Sequence, residues 1–236
     1  MNFKGSVSMK KLWMLALCIA LLCFGGCTKE AAANSQELYG EVLAKYYDLI
    51  AHPDGDRLFA DGEIGVFEAA QAIGDEALNT IGYVFTDLNG DGTDELLVGV
   101  FDKAEGAHVK NELYAAYTLV EDAPVLLFEG WARNAYSLMD GGSLYYYGSG
   151  GAMYSIFGEA VVNGDALEWV DYYFTHETDE TMTEIGFFHN NSGEWDPHVS
   201  EQLDTDADAF FALQDGYGQR TVELDDTKFA EFEAVQ

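Results

Sequence analysis

In the first part of the chain, apolar residues recur at helical spacing. Leu38, Val42, Tyr46 and Leu49/Ile50 form one such stripe, opened by Asn34 and Glu37 at capping-box spacing. Phe67, Ala70, Ile73, Ala77 and Ile81 form a second, after a turn-rich connection containing Pro53-Asp54-Gly55. From Tyr83 onward the period changes. Tyr83–Thr86 is short and rich in aromatic or β-branched residues, and Leu96–Phe101 is an unbroken apolar run of the kind expected of a central strand. Further strands are predicted at 113–120, 125–128, 136–139, 144–147, 155–162, 167–174 and 183–189, separated by Asp140-Gly141-Gly142, Gly148–Gly151 and Asn163-Gly164-Asp165. Two short helices, 204–213 and 226–232, are expected to close the chain, each opening with acids that suit a positive helix end. Helices, then strands joined by short turns, then helices predict an α+β fold: an antiparallel β-meander with N-terminal helices and short C-terminal helices. Leu96, Val98 and Val100 should then face one side of the sheet, and Leu97 and Gly99 the other.

The first residues carry a different pattern. Lys4, Lys10 and Lys11 precede the apolar run Leu12–Phe24, and Gly25-Gly26-Cys27 follows. The run is shorter than the roughly 20 residues a membrane span needs, and its layout is that of an export signal. Met9-Lys10-Lys11 would open a compact signal by itself. Phe24-Gly25-Gly26-Cys27 resembles the lipobox of bacterial lipoproteins, with Phe24 where that family usually has Leu. The resemblance implies a signal peptide over 1–26, lipidation at Cys27, a tether over 27–35 and one domain over 36–236. It places that domain on the bacterial cell envelope, on the outer face of the cytoplasmic membrane or on an outer membrane.

Composition fits export. Cys18 and Cys23 lie in the signal, so Cys27 would be the lone cysteine after cleavage and no intramolecular disulfide could form. The chain carries a formal net charge of −31. Cleavage before Cys27 removes three lysines and no acid, taking it to −34. Such a surface disfavours nucleic acid and anionic headgroups, and most of the acids are accounted for by solubility. Roughly 200 residues remain, enough for one sizeable core.

One stretch carries specific chemistry. In Asp87-Leu88-Asn89-Gly90-Asp91-Gly92-Thr93-Asp94-Glu95, oxygen side chains stand at alternating positions around glycines that permit a sharp turn. Calcium takes about six to eight oxygen ligands. Asp87, Asn89 and Asp91 would point inward, Thr93 would offer its carbonyl, and Glu95 would add a carboxylate. The loop resembles those of EF-hands, dockerins and FG-GAP blades. Val98 stands where an EF-hand has its bidentate Glu, and the apolar run beyond Glu95 makes the flanks strand–loop–strand, closer to the FG-GAP type. The competing reading is an acidic turn without metal. Together with Leu144-Tyr145-Tyr146-Tyr147-Gly148-Ser149-Gly150-Gly151-Ala152, the stretch is similar to a group of uncharacterised bacterial lipoproteins. That resemblance implies fold and location and no activity.

Other signals are weaker. Gly148–Gly151 lacks the Lys-Ser/Thr of a phosphate loop, and Ser149 and Ser155 lack a G-x-S-x-G elbow. Asp204, Asp206 and Asp208 suit a helix N-terminus better than a metal. His52, His108, His176, His189 and His198 show no ligand spacing, and Glu177, Asp179 and Glu180 read as a solvated loop. Tyr145, Tyr146 and Tyr147 alternate faces, so part of that run belongs to the core. Exposed positions among these tyrosines and Trp131, Trp169 and Trp195 would offer a stacking surface. The sequence therefore favours a non-catalytic, lipid-tethered domain with one structural calcium. A carbohydrate- or peptide-binding module and a cell-surface hydrolase remain as alternatives.

Overall fold

The structure, a computed structural model, describes residues 34–101, 111–224 and 226–229. The chain divides into two units, Met1–Leu38 and Tyr39–Gln236. In the first, residues 34–38 are helical; the signal and Cys27 lie outside the described residues. Among the described residues no helix is long and apolar enough to cross a membrane.

The second unit is α+β, as the sequence predicts. Three helices come first: α1 (Gly40–Ala51), α2 (Ile64–Ile73) and the single turn α3 (Ala77–Thr80). Eleven strands form one antiparallel sheet: β1 (Ile81–Thr86), β2 (Glu95–Val100), β3 (Glu112–Val120), β4 (Ala123–Glu129), β5 (Asn134–Leu138), β6 (Leu144–Gly151), β7 (Tyr154–Asn163), β8 (Ala166–Glu177), β9 (Ile185–Asn190), β10 (Glu201–Gln202) and β11 (Thr227–Lys228). Helix α4 (Ala207–Gly218) lies between β10 and β11. The strand order is β10-β9-β8-β7-β6-β5-β3-β2-β1-β11, with β4 branching from β3. Between β1 and β9 it is the sequential meander that short turns dictate, because adjacent antiparallel strands need only a hairpin.

Both faces of β2 are covered, which is why the run Leu96–Val100 contains no polar residue. Leu96, Val98 and Val100 pack with Leu43, Tyr46 and Leu49 of α1 and Val66, Ala69 and Ala70 of α2. Leu97 points the other way, into a cluster with Leu113, Tyr136, Tyr146, Tyr172, Phe174 and Phe188. Among the described residues no helix packs into this second cluster. Instead β4 leaves the plane and approaches β8, so the sheet curls and the face packs on itself. Aromatic rings run across the curl: Phe128–Tyr136 at 3.9 Å, Tyr136–Tyr146 at 4.9 Å, Tyr146–Tyr172 at 6.3 Å and Phe174–Phe188 at 5.3 Å between centroids. Such pairs contribute about 0.5–1.5 kcal/mol each beyond their buried area. Helix α4 sits on the same face as α1–α3. Its Phe210 and Tyr217 pack against Tyr145 and Phe157.

Several boundaries differ from the sequence reading. The helical stripe 67–81 is broken: Gly74, at φ 73°, ends α2, a 3-10 turn (Gly74–Glu76) and the single turn α3 follow, and Ile81 opens β1 opposite Val100. The predicted helix 204–213 begins at Ala207, because the Asp206 carboxylate accepts from Ala209 N at 2.9 Å as N-cap. The acids before it thus serve the helix end. The predicted helix 226–232 begins instead as β11, pairing Thr227 and Lys228 with Tyr83 and Gly82. An otherwise bare edge of β1 is covered this way, and Phe229 is buried against Tyr83 and Tyr46; residues 230–232 lie outside the described residues. Strand β6 does not stop at Tyr147 but continues through Gly148–Gly151, where Gly148 pairs with both Asn134 and Ile156.

Since both faces of β2 are buried, Leu96→Ala and Leu97→Ala should each cost about 2–5 kcal/mol. Urea denaturation of the two variants checks this. A loss confined to one of them would mean that the other face is open to water.

Candidate functional site

The Asp87–Glu95 loop joins β1 to β2, with Thr86 paired to Glu95. It is a hairpin connection between strands, as the apolar run beyond Glu95 requires, and no helix follows it. Gly90 and Gly92 take φ values of 77° and 92° with open space around them, so backbone conformation and not crowding calls for glycine there.

The loop is folded around its own side-chain oxygens. Asp87 Oδ1 accepts from Gly90 N at 2.7 Å and Asp91 N at 3.2 Å, while Oδ2 accepts from Gly92 N at 2.9 Å. Asn89 Oδ1 accepts from Asp91 N, and its amide donates to Asp91 Oδ2 at 3.0 Å. Asp91 Oδ1 accepts from Thr93 N at 2.7 Å, which with the other bonds to Asn89 and Thr93 holds this exposed carboxyl below its ordinary range. Asp87, Asn89 and Asp91, three of the residues the sequence assigns to a cation, thus turn oxygens onto the loop's own amides. Thr93 contributes a backbone N–H to that arrangement.

Glu95 is different in kind. It is 0% exposed. Its Oε2 accepts from Leu88 N at 2.8 Å, and its Oε1 from the Thr118 hydroxyl of β3 at 3.1 Å. Burial raises its pKa; the Leu88 and Thr118 bonds oppose the rise, and the charges of Asp91 and Asp87 add to it. A third contact braces the same corner: the Tyr39 hydroxyl, at the start of α1, donates to the Asp94 carbonyl at 2.9 Å and the Tyr117 carbonyl at 3.2 Å. Burial, with Glu95 adding, pushes the Tyr39 phenol well above its ordinary range.

The donor set suits a hard cation. Asp87, Asn89, Asp91 and Glu95 offer only oxygen, and two of the carboxylates lie close enough to Glu95 to disfavour its charge. A divalent ion would relieve that repulsion.

A second polar cluster went unread in the sequence. On β8, Asp171 accepts from His189 Nε2 of β9 at 2.9 Å and from the Tyr217 hydroxyl of α4 at 2.8 Å. Burial and the bond to Asp171 raise the Tyr217 pKa. Nothing short-range in sequence links 171, 189 and 217. The only available signal was the polar residue interrupting Val170–Phe174. This cluster anchors α4 to the sheet. Ser149 offers no nucleophile arrangement, since its hydroxyl donates to the Gly151 carbonyl. His52 pairs with Asp48 and His176 with Glu177, whereas His108 lies outside the described residues.

The tyrosine run is core on both faces. Tyr145 and Tyr146 are buried, and the half-buried Tyr147 donates to Glu112 at 3.3 Å. Trp169 packs edge-on against Tyr146 and Tyr172. Trp131 and Trp195 reach solvent, at 37% and 40% exposure. In comparisons with protein-family models, curated proteins and solved structures, nothing matches the chain.

Glu95 gives a pH test in chelator-treated protein. Its folded pKa is raised, so its contribution to stability is full below its ordinary value of 4.5 and is lost as pH rises through the folded value. Glu95→Gln should remove that decline, so wild type and variant should diverge as pH rises above 4.5. Parallel stability curves for the two proteins would contradict it.

Proposed function

We propose that this chain is an exported, lipid-tethered, non-catalytic domain whose Asp87–Glu95 loop binds one calcium ion as a structural clamp. Cys27 carries the lipid, and the domain stands on the outer surface of a bacterial membrane. The observation that carries the metal reading is Glu95. A carboxylate with no exposure at the foot of a loop holding Asp87 and Asp91 is unfavourable without a counter-cation, and few residue patterns supply alternating oxygens above it. Asp87, Asn89, Asp91, Glu95 and the Thr93 carbonyl would hold the ion. When bound, it supplies charge neutralisation, locking β1 to β2 and, through Thr118, to β3. The anchor reading rests on the order of charge, apolar run, small residues and cysteine at the N-terminus.

Ligand linkage predicts that calcium raises the melting temperature, with about 2.7 kcal/mol added at a hundredfold excess over Kd. Asp91→Ala should abolish that rise while leaving the far-ultraviolet circular dichroism of the sheet intact. Calorimetry showing no calcium-dependent shift in wild type would leave the loop a plain turn. Independently, the protein should partition with membranes, and Cys27→Ala should release it or leave the precursor uncleaved. Normal processing with unchanged membrane retention in that variant would exclude lipidation.

A further inference from the structure

We propose that the groove between the C-terminal ends of α1 and α2 binds a small amphiphilic amine, a primary ammonium group on a short apolar body. The groove encloses about 560 Å³, within the range of small-molecule sites, and shares no residue with the Asp87–Glu95 loop. Its floor is apolar: Ile50, Ala70 and Ala77 line it and are buried. Gln71 and Asp75, both exposed, are the polar side chains of its rim. Among the described residues no Lys, Arg or His lines it.

Two negative helix ends converge here. Helix α1 ends at Ala51 and α2 at Ile73, and Ala51 and Gly74 both line the groove. The C-terminal end of a helix carries roughly half a negative charge, which a lysine or arginine in the last turn ordinarily complements. Neither helix has a basic residue in its last turn. At α1 hydrogen-bond donors are missing as well. His52 N donates to the Asp48 carbonyl, and Pro53 follows with no N–H to give. Among the described residues no backbone N–H beyond the helix reaches the carbonyls of Leu49, Ile50 and Ala51. The single turn α3 also starts beside the groove, but Asp75 and Glu76 precede it and neutralise its positive end.

The chain does not supply the cation itself. Between Gly40 and Thr80 the basic residues are Lys45, His52 and Arg57. Lys45 donates to the Tyr117 hydroxyl and pairs with Glu63, Arg57 pairs with Glu63 and Asp48, and His52 pairs with Asp48.

An ammonium group brings three N–H donors and one positive charge to this rim, and an apolar body displaces water from the floor. A carboxylate or phosphate would meet two negative helix ends and Asp75 with no positive charge to hold it. A neutral alcohol would leave the helix ends uncomplemented. A lysine of a partner protein would enter charge first, carrying its ammonium onto the apolar floor, where an unpaired charge is costly. A free amine enters with its apolar end first and keeps its charge at the rim.

The full chain is titrated with hexylammonium and phenethylammonium at physiological ionic strength and followed by amide NMR, with hexanol, hexanoate and N-acetyl-lysine amide as comparators. At least one ammonium ion should bind, shifting the amides of Ala51, Gln71 and Gly74, and at least tenfold more tightly than any comparator. Asp75→Asn should weaken binding several-fold. Gln71→Lys places a cation in the last turn of α2; it should abolish binding and raise the melting temperature of the ligand-free protein. Both positions are exposed, so neither variant disturbs the core. Asp91→Ala should bind the amine as wild type does, which separates this groove from the calcium reading. Absence of binding by both ammonium ions, shifts confined to other parts of the surface, a comparator binding as tightly as the ammonium ions, or affinity unchanged in both groove variants would overturn the proposal.

Discussion

Every residue of β2, from Glu95 to Val100, is buried, and a strand buried on both faces needs a layer on each side. One layer is made by α1 and α2, which bring Leu43, Tyr46, Val66 and Ala70 onto Leu96, Val98 and Val100. The other is the sheet itself, curled so that Tyr136, Tyr146, Tyr172 and Phe174 close over the side to which Leu97 points. Removing either layer would expose a run with no polar residue. The architecture is thus a consequence of where the most apolar strand sits in the strand order.

The same burial fixes the chemistry of the loop. Glu95 is the first residue of β2, and its carboxylate enters the protein with it. Leu88 N and the Thr118 hydroxyl satisfy its oxygens, but hydrogen bonds offset only part of the cost of an isolated buried charge. Tyr39 ties α1 to the Asp94 and Tyr117 carbonyls, so the loop, the first helix and β3 meet at this carboxylate. Any cation held by the loop would act on three elements at once.

The curl also decides which aromatic residues the core takes up. Aromatic residues in the middle of the meander are consumed by the core, with Tyr145 stacked on Tyr147 and Tyr146 on Tyr172. Only where β6 runs out in Gly148–Gly151 does the aromatic ladder give way to glycine. There Trp195, arriving after β9, lies over Gly150. The glycines that look like a turn in sequence are a strand, and at Gly150 the missing side chain makes room for a ring.

Periodicity alone determined the α+β class, the first helix and the start of the second, the approximate positions of β1–β9 and the two-faced burial of 96–100, because each rests on local spacing that no distant contact overrides. The strand–loop–strand setting of Asp87–Glu95 was legible for the same reason: an apolar run cannot follow the loop as a solvent-facing helix. Tertiary structure decided what depends on residues far apart. Thr227 and Lys228 became strand because β1 had an edge to cover, and Asp171, His189 and Tyr217 met only once β8, β9 and α4 were packed. Of four aromatic candidates, Trp131 and Trp195 are exposed, Trp169 is half-buried and Tyr146 is buried, since exposure is set by the curl of the sheet. A tryptophan's composition is the same in core and on surface; what covers it is a property of the fold.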